Sequence, residues 1–259
     1  MSPRELVLLH GQPGTPADWR ALIARLPPRL RAAAPDRPGY GMSPRPAGGF
    51  TANAQAVLDD LDARGLRSAV LVGHSWGGGV ALRAAALAPD RIEAVVLLAS
   101  VGPGCVTSLD WLLAAPGIGP LCSLIAFRWT PWIARAWLAR LQRRRGRPLD
   151  PGESARTQVW GHAGAGKWPL WRTFLTEQRA LLRELGELEA AVKSVRVPVL
   201  LVADPADLVV PVRTSRRLAA MLPDASLVLV TGAGHHLARR APSAVAAAVA
   251  AFLADAGSP

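Results

Sequence analysis

Leu71-Val72-Gly73-His74-Ser75-Trp76-Gly77-Gly78-Gly79-Val80 joins an apolar, β-branched run to a run of small residues. Ser68–Val72 reads as a strand and Val80–Leu87 as a buried helix. Gly-x-Ser-x-Gly between a strand and a helix is the nucleophile elbow, a turn so sharp that its serine is held above the end of the sheet. Ser75 is therefore the candidate nucleophile. Such a turn needs glycine at 73 and 77, because the turn residue is strained and strand and helix pass too close for larger side chains. The five-residue pattern alone occurs by chance in ordinary loops. The strand before it and the helix after it separate it from a plain structural turn.

Working outward, Glu5–Leu9 is a short apolar strand ending in His10-Gly11-Gln12-Pro13-Gly14-Thr15, followed by a helix with Trp19, Leu22, Ile23 and Leu26 at helical spacing. Leu30–Ala34 is a weak second strand closed by the turn-rich loop Asp36–Ser43. A helix over 51–63 follows, with Ala54, Val57, Leu58 and Leu61 as its inner stripe. After the elbow, Ile92–Ala99 is another continuous apolar strand. Continuous apolar strands separated by helices are the pattern of a parallel sheet buried on both faces. The alternation stops from Gly102 to Lys193, where the reading is helical and rich in Trp and Arg. It resumes with strands at 197–203 and 227–230 and helices at 214–221 and 243–254. The expected organisation is an α/β core over 1–101 and 194–259, interrupted by a helical insertion over 102–193.

A serine nucleophile needs a base within hydrogen-bond reach, and the base needs a carboxylate to fix its tautomer. The first late strand ends in Asp204-Pro205-Ala206-Asp207-Leu208-Val209-Val210-Pro211, the second in Gly232-Ala233-Gly234-His235-His236. With these residues the chain resembles the α/β-hydrolase superfamily over nearly its whole length. The resemblance implies an α/β-hydrolase fold, a mostly parallel sheet flanked by helices, with 102–193 as an inserted cap. Its order of serine, acid, histidine is matched by Ser75, Asp207 and His235. Asp207 stands at the acid of D-x-x-V-P. Asp204, where the family commonly has glycine, is the alternative acid, and His236 is the alternative base. The resemblance also implies an oxyanion hole from the backbone amides of Trp76 and of Gln12 in His-Gly-x-Pro. Each such donor is worth about a hundredfold to a thousandfold in rate. Acting through backbone, both leave their side chains free to shape the pocket. Asp36–Ser43 matches a family loop, D-x-x-G-x-G-x-S, read as a structural turn. His74 reads as a packed neighbour. Relatives commonly carry one or two strands before the His-Gly strand, so the sheet is expected to be reduced at that edge or the start to be late.

Within 102–193 lie Trp111, Trp129, Trp132, Trp137, Trp160, Trp168 and Trp171, which read equally as apolar substrate walls or as packing of a small helical unit. Pro131–Arg145 is a basic amphipathic segment that suits an anionic membrane surface or, more simply, a solvated cap face. Trp111–Phe127 is uncharged and mostly apolar, yet Pro116, Gly117, Gly119 and Pro120 interrupt it short of a membrane span.

The chain of 259 residues is half hydrophobic, enough to bury a sizeable core. A formal charge of +11 would suggest nucleic acid or an anionic surface. The basic residues are nearly all Arg, however, beside abundant Ala, Gly and Pro. A GC-rich genome produces that bias, and no nucleic-acid module accompanies it. Cys105 and Cys122 form no disulfide framework. The N-terminus enters a strand at once, without a signal-length apolar core, so a cytoplasmic location is expected. Scattered histidines and two cysteines give no metal-ligand cluster. The resemblance implies a cofactor-independent serine hydrolase acting on a small, hydrophobic ester or acyl compound. Lactonase, thioesterase, carbon–carbon hydrolase or haloperoxidase chemistry, and a non-catalytic ligand-binding role, are the alternatives. Oligomeric state is open.

Overall fold

Apolar residues at every position of a short strand can be buried only if both faces of the sheet are covered. The computed structural model describes residues 4–128 and 167–255 and shows that arrangement. Strands β1 (Arg4–Leu9), β2 (Leu30–Ala33), β3 (Ala69–His74), β4 (Ile92–Leu98), β5 (Val199–Ala203) and β6 (Ala225–Leu229) form one sheet. Its order is β2-β1-β3-β4-β5-β6, and every neighbouring pair is parallel. The helices are α1 (Arg20–Ile23), α2 (Phe50–Ala63), α3 (Trp76–Leu87), α4 (Ser108–Ala114), α5 (Ile118–Arg128), α6 (Leu170–Val192), α7 (Val212–Met221), α8 (Leu237–Arg240) and α9 (Pro242–Asp255).

The period-2 pleat divides the strand residues between two cores. Leu6, Leu8, Val70, Val72, Val96, Leu98, Leu200 and Val202 pack with Trp19, Leu22, Val245 and Val249. Val7, Leu9, Leu71, Val95, Leu97, Val199 and Leu201 pack with Leu58, Leu61, Val80, Leu188 and Leu218. Each such side chain, taken from exposed to fully buried, contributes about 1.5–3 kcal/mol. β6 is the half-exposed edge strand. The chain passes from β1 to β2 on one side and places β3 on the other, so the strand order reverses between β1 and β3. The crevice beyond the carboxyl ends at such a switch point is where open α/β sheets bind ligands.

The helix after the elbow starts at Trp76, earlier than the Val80 read from the sequence, and takes in Gly77, Gly78 and Gly79. Glycine disfavours helix by about 1 kcal/mol per residue. Packing outweighs that cost: a Cβ on Gly77 would lie 2.2 Å from the Leu9 carbonyl oxygen. The run 111–127 is split into α4 and α5, bent by 95°, and no single helix among the described residues is long and apolar enough to cross a membrane. Leu109, Trp111, Leu121 and Ile125 are exposed on this pair. Helix α6, about 35 Å long by its residue count, packs on α4 and α5 and also on α2 and α3. Its Leu181, Leu188 and Val192 belong to the main core. The described part of 102–193 is helical, as expected. Pro131–Arg145, Trp129, Trp132, Trp137 and Trp160 lie outside the described residues. Cys105 and Cys122 are free thiols.

Candidate active site

The parallel register brings the strand ends together: Leu9 pairs with Gly73, His74 with Leu98, Leu98 with Val202 and Ala203 with Leu229. The residues that follow β1, β3, β5 and β6 therefore share one edge of the sheet. Ser75 sits between β3 and α3 at φ 54°, ψ −118°, a left-handed φ that costs a side-chain-bearing residue about 1–3 kcal/mol. Neighbours over-determine it. Its N–H donates to the Leu98 carbonyl (2.9 Å), and its carbonyl accepts from Gly78 (3.0 Å) and Val101 (3.1 Å). A Cβ on Gly73 would lie 2.4 Å from the Gly77 carbonyl oxygen, so the tight crossing requires glycine there.

After β5 the two aspartates part company. The Asp207 Oδ2 lies 2.8 Å from His235 Nδ1, while its Oδ1 accepts from the N–H groups of Val209 (2.8 Å) and Val210 (3.0 Å). The Asp204 carboxylate faces elsewhere. Its Oδ1 accepts from Ala206 N–H (2.8 Å), and its Oδ2 from Ala233 N–H (2.7 Å) and Gly234 N–H (2.6 Å). The bond from Ala206, with those from the 232–234 loop, holds the Asp204 carboxyl below the usual carboxylate range despite burial. Asp204 thus staples the β5 turn to the loop carrying His235, and Asp207 meets the ring. In that loop Gly232 and Gly234 take positive φ.

His74 is a packed neighbour, as expected. Its Nε2 donates to the His235 carbonyl at 2.8 Å, and its ring lies 4.8 Å from that of His235. Burial, with His235 beside it, lowers its pKa far below the ordinary range and keeps it neutral. His236 is also held neutral, pushed down to about 4 chiefly by burial and then by His235.

The loop after β1 lies against the nucleophile. A Cβ on Gly11 would fall 3.2 Å from Ser75 Cβ. Gln12 precedes a cis peptide bond to Pro13. The Gln12 side chain reaches α6, where its Nε2 donates to the Phe174 carbonyl at 2.8 Å. Trp76 is buried at the start of α3, stacked on Phe50 at 4.4 Å.

Sequence reasoning missed a buried polar cluster behind this loop. Arg37, from the loop read as a plain turn, is 2% exposed and pairs with fully buried Glu177 of α6. Its Nε donates to the His10 carbonyl (2.8 Å), Nη1 to Asn53 Oδ1 (3.0 Å) and Nη2 to the Gly11 carbonyl (2.9 Å). The Tyr40 hydroxyl donates to Glu177, and the guanidinium lies 4.8 Å from the rings of Tyr40 and Trp76. One signal was available. Glu177 falls on the same face of α6 as Thr173, Ala180, Leu181 and Leu188, a charge inside a buried stripe. Among the described residues, no group of three or more His, Cys, Asp or Glu side chains is arranged to hold a metal ion.

The sequence model of the Alpha/beta hydrolase family matches residues 6–248. The chain is 28% identical over 265 residues to 2-hydroxymuconate semialdehyde hydrolase of a Pseudomonas species, covering 97% of this chain and 87% of that protein. It is 31% identical over 238 residues to pimeloyl-[acyl-carrier protein] methyl ester esterase of Aromatoleum aromaticum, covering 91% and 92%. Among solved structures, a thermophilic esterase from Thermogutta terrifontis superposes with a TM-score of 0.77 at 20% identity, covering 99% of this chain and 92% of that one. At that identity the likeness speaks for the fold.

Proposed function

The chain belongs to the α/β-hydrolase family, and from that premise we propose that it is a cofactor-independent serine hydrolase of carboxylic esters or related acyl compounds. The observation that carries the reading is a strained Ser75 on the same sheet edge as a His235 whose Nδ1 lies 2.8 Å from Asp207 Oδ2.

Ser75 Oγ attacks the carbonyl carbon while His235 Nε2 takes its proton. Asp207 accepts from Nδ1–H, which leaves the Nε2 lone pair for that proton and stabilises the imidazolium that forms. The backbone amides of Gln12 and Trp76 donate to the developing oxyanion. The tetrahedral adduct collapses to an acyl-enzyme, and His235 gives its proton to the leaving alcohol. Water, deprotonated by His235, then releases the acid. In this reading 102–193 is a cap that covers the site and selects substrates, on a core of 1–101 and 194–259.

The name of the Aromatoleum relative supports an ester substrate, and that of the Pseudomonas relative makes carbon–carbon bond hydrolysis the second reading. Hydrolysis of p-nitrophenyl esters from acetate to long acyl chains, on wild type and Ser75→Ala side by side, tests the first. Turnover confined to the wild type supports it. Turnover equal in both rejects the serine mechanism, and ester inertness with cleavage of 2-hydroxymuconate semialdehyde favours the second reading.

A further inference from the structure

Resting on the serine-hydrolase reading, we propose that Arg37, with His10, is a positioning residue that sets the orientation of the Gly11–Gln12 peptide and ties it, through Glu177, to α6. A trans peptide unit is planar, so the C=O of one residue and the N–H of the next point in opposite directions. The Gly11 carbonyl and the Gln12 N–H belong to one such unit. Whatever holds that carbonyl inward aims that N–H outward.

Two donors hold it. Arg37 Nη2 donates to the Gly11 oxygen at 2.9 Å, and His10 Nδ1 lies 3.0 Å from the same atom. The tautomer of His10 is fixed from its other side, because Nε2 accepts the Arg37 backbone N–H at 3.3 Å, so Nδ1 carries the hydrogen and donates. His10 is fully buried and kept neutral by burial, then by Arg37. The guanidinium is itself immobilised. Besides the Gly11 oxygen, its N–H groups reach the His10 carbonyl, Asn53 Oδ1 and both Glu177 oxygens. That use of the planar five-donor fork is one a lysine cannot reproduce.

Rotating the Gly11–Gln12 peptide would break both bonds to its carbonyl, one of them charge-assisted, and leave a buried cation short of an acceptor. The cluster therefore works as a template for one amide orientation. One turn of α6 supplies two restraints on the loop, since the Phe174 carbonyl holds the Gln12 side chain and Glu177 holds Arg37. The Gln12 N–H thus takes its aim from the helix that closes the inserted region.

The test uses the full chain with Arg37→Lys, and with the double variant Arg37→Met and Glu177→Met, because apolar replacement of a whole buried ion pair tends to preserve the fold. Steady-state kinetics on the preferred p-nitrophenyl ester and crystal structures are the readouts. Each variant is expected to lose about tenfold to a hundredfold in kcat with KM within about twofold, short of outright loss of an oxyanion donor. The Gly11–Gln12 peptide is expected to rotate or take two orientations. A variant peptide in the wild-type orientation overturns the proposal whatever the rate. So does unchanged kcat with a rotated peptide. If the peptide rotates but the wild type hydrolyses no ester, the positioning stands and the hydrolase reading falls alone.

Discussion

The two aspartates after β5 should separate cleanly under the same substitution. Asp204 accepts three backbone N–H bonds at 2.6–2.8 Å, each charge-assisted and worth about 1.5–3 kcal/mol. In Asp204→Asn the amide oxygen can serve Ala233 and Gly234, as a weaker neutral acceptor, while the amide nitrogen is turned towards the Ala206 N–H, donor against donor. One charged bond lost and two weakened amount to about 2–4 kcal/mol. For a chain of this size that is a fall in Tm of about 5–15 °C. Some activity should survive, because the His235–Asp207 bond is untouched. In Asp207→Asn the oxygen keeps Val209 and Val210, and the new nitrogen donates to His235 Nδ1. The ring proton moves to Nε2, which then has no lone pair for the Ser75 proton. Turnover should drop about 10⁴-fold with Tm little changed. Scanning calorimetry and ester kinetics on both variants check this. Asp207→Asn at full turnover, beside Asp204→Asn inactive at an unchanged Tm, would refute the assignment of acid and staple.

Replacing Ser75 by glycine should abolish turnover yet raise stability by about 1 kcal/mol, because glycine takes φ 54° without strain; a lower Tm for that variant counts against strain at the elbow. Gly77→Ala should be severely destabilising, since its Cβ would meet two backbone carbonyl oxygens at 2.2 and 2.6 Å, and purification of a folded, active variant would contradict the close crossing of α3 and β1. Stability should fall as pH drops below about 6.5. The fold keeps His10, His74 and His236 neutral, the last down to about 4, so the unfolded chain binds more protons over that interval. Tm measured between pH 7.5 and 5 should decline, and His236→Asn should flatten the decline; an identical slope in the variant would exclude His236 as a contributor.

Those elements whose cause is local could be read from the sequence. The apolar strands, the elbow and the D-x-x-V-P turn depend on residues within a few positions of one another, and strand ends came out within a few residues. The buried-helix pattern is clear only over Val80–Leu87, while the observed helix includes Gly77–Gly79. What requires glycine at 77 is the Leu9 carbonyl passing 2.2 Å from where a Cβ would stand, a contact between distant segments. The D-x-x-V-P pattern favours Asp207 as the acid but leaves Asp204 open as the alternative, because which carboxylate faces a ring and which faces the amides of a second loop depends on how β5 and β6 align. Arg37 and Glu177 stand 140 positions apart; Glu177 interrupts an apolar stripe, but nothing near Arg37 in the sequence marks it as its partner. Only the fold shows them as a buried pair that reaches the loop beside Ser75.

The most direct check is to treat the wild type, Ser75→Ala and Asp207→Asn with a fluorophosphonate and locate the adduct by intact mass and peptide mapping. One adduct on the peptide containing Ser75 is expected in the wild type, none in Ser75→Ala, and labelling slowed by orders of magnitude in Asp207→Asn. An adduct on another residue, or ester turnover by a wild type that takes no label at Ser75, would contradict Ser75 as the nucleophile.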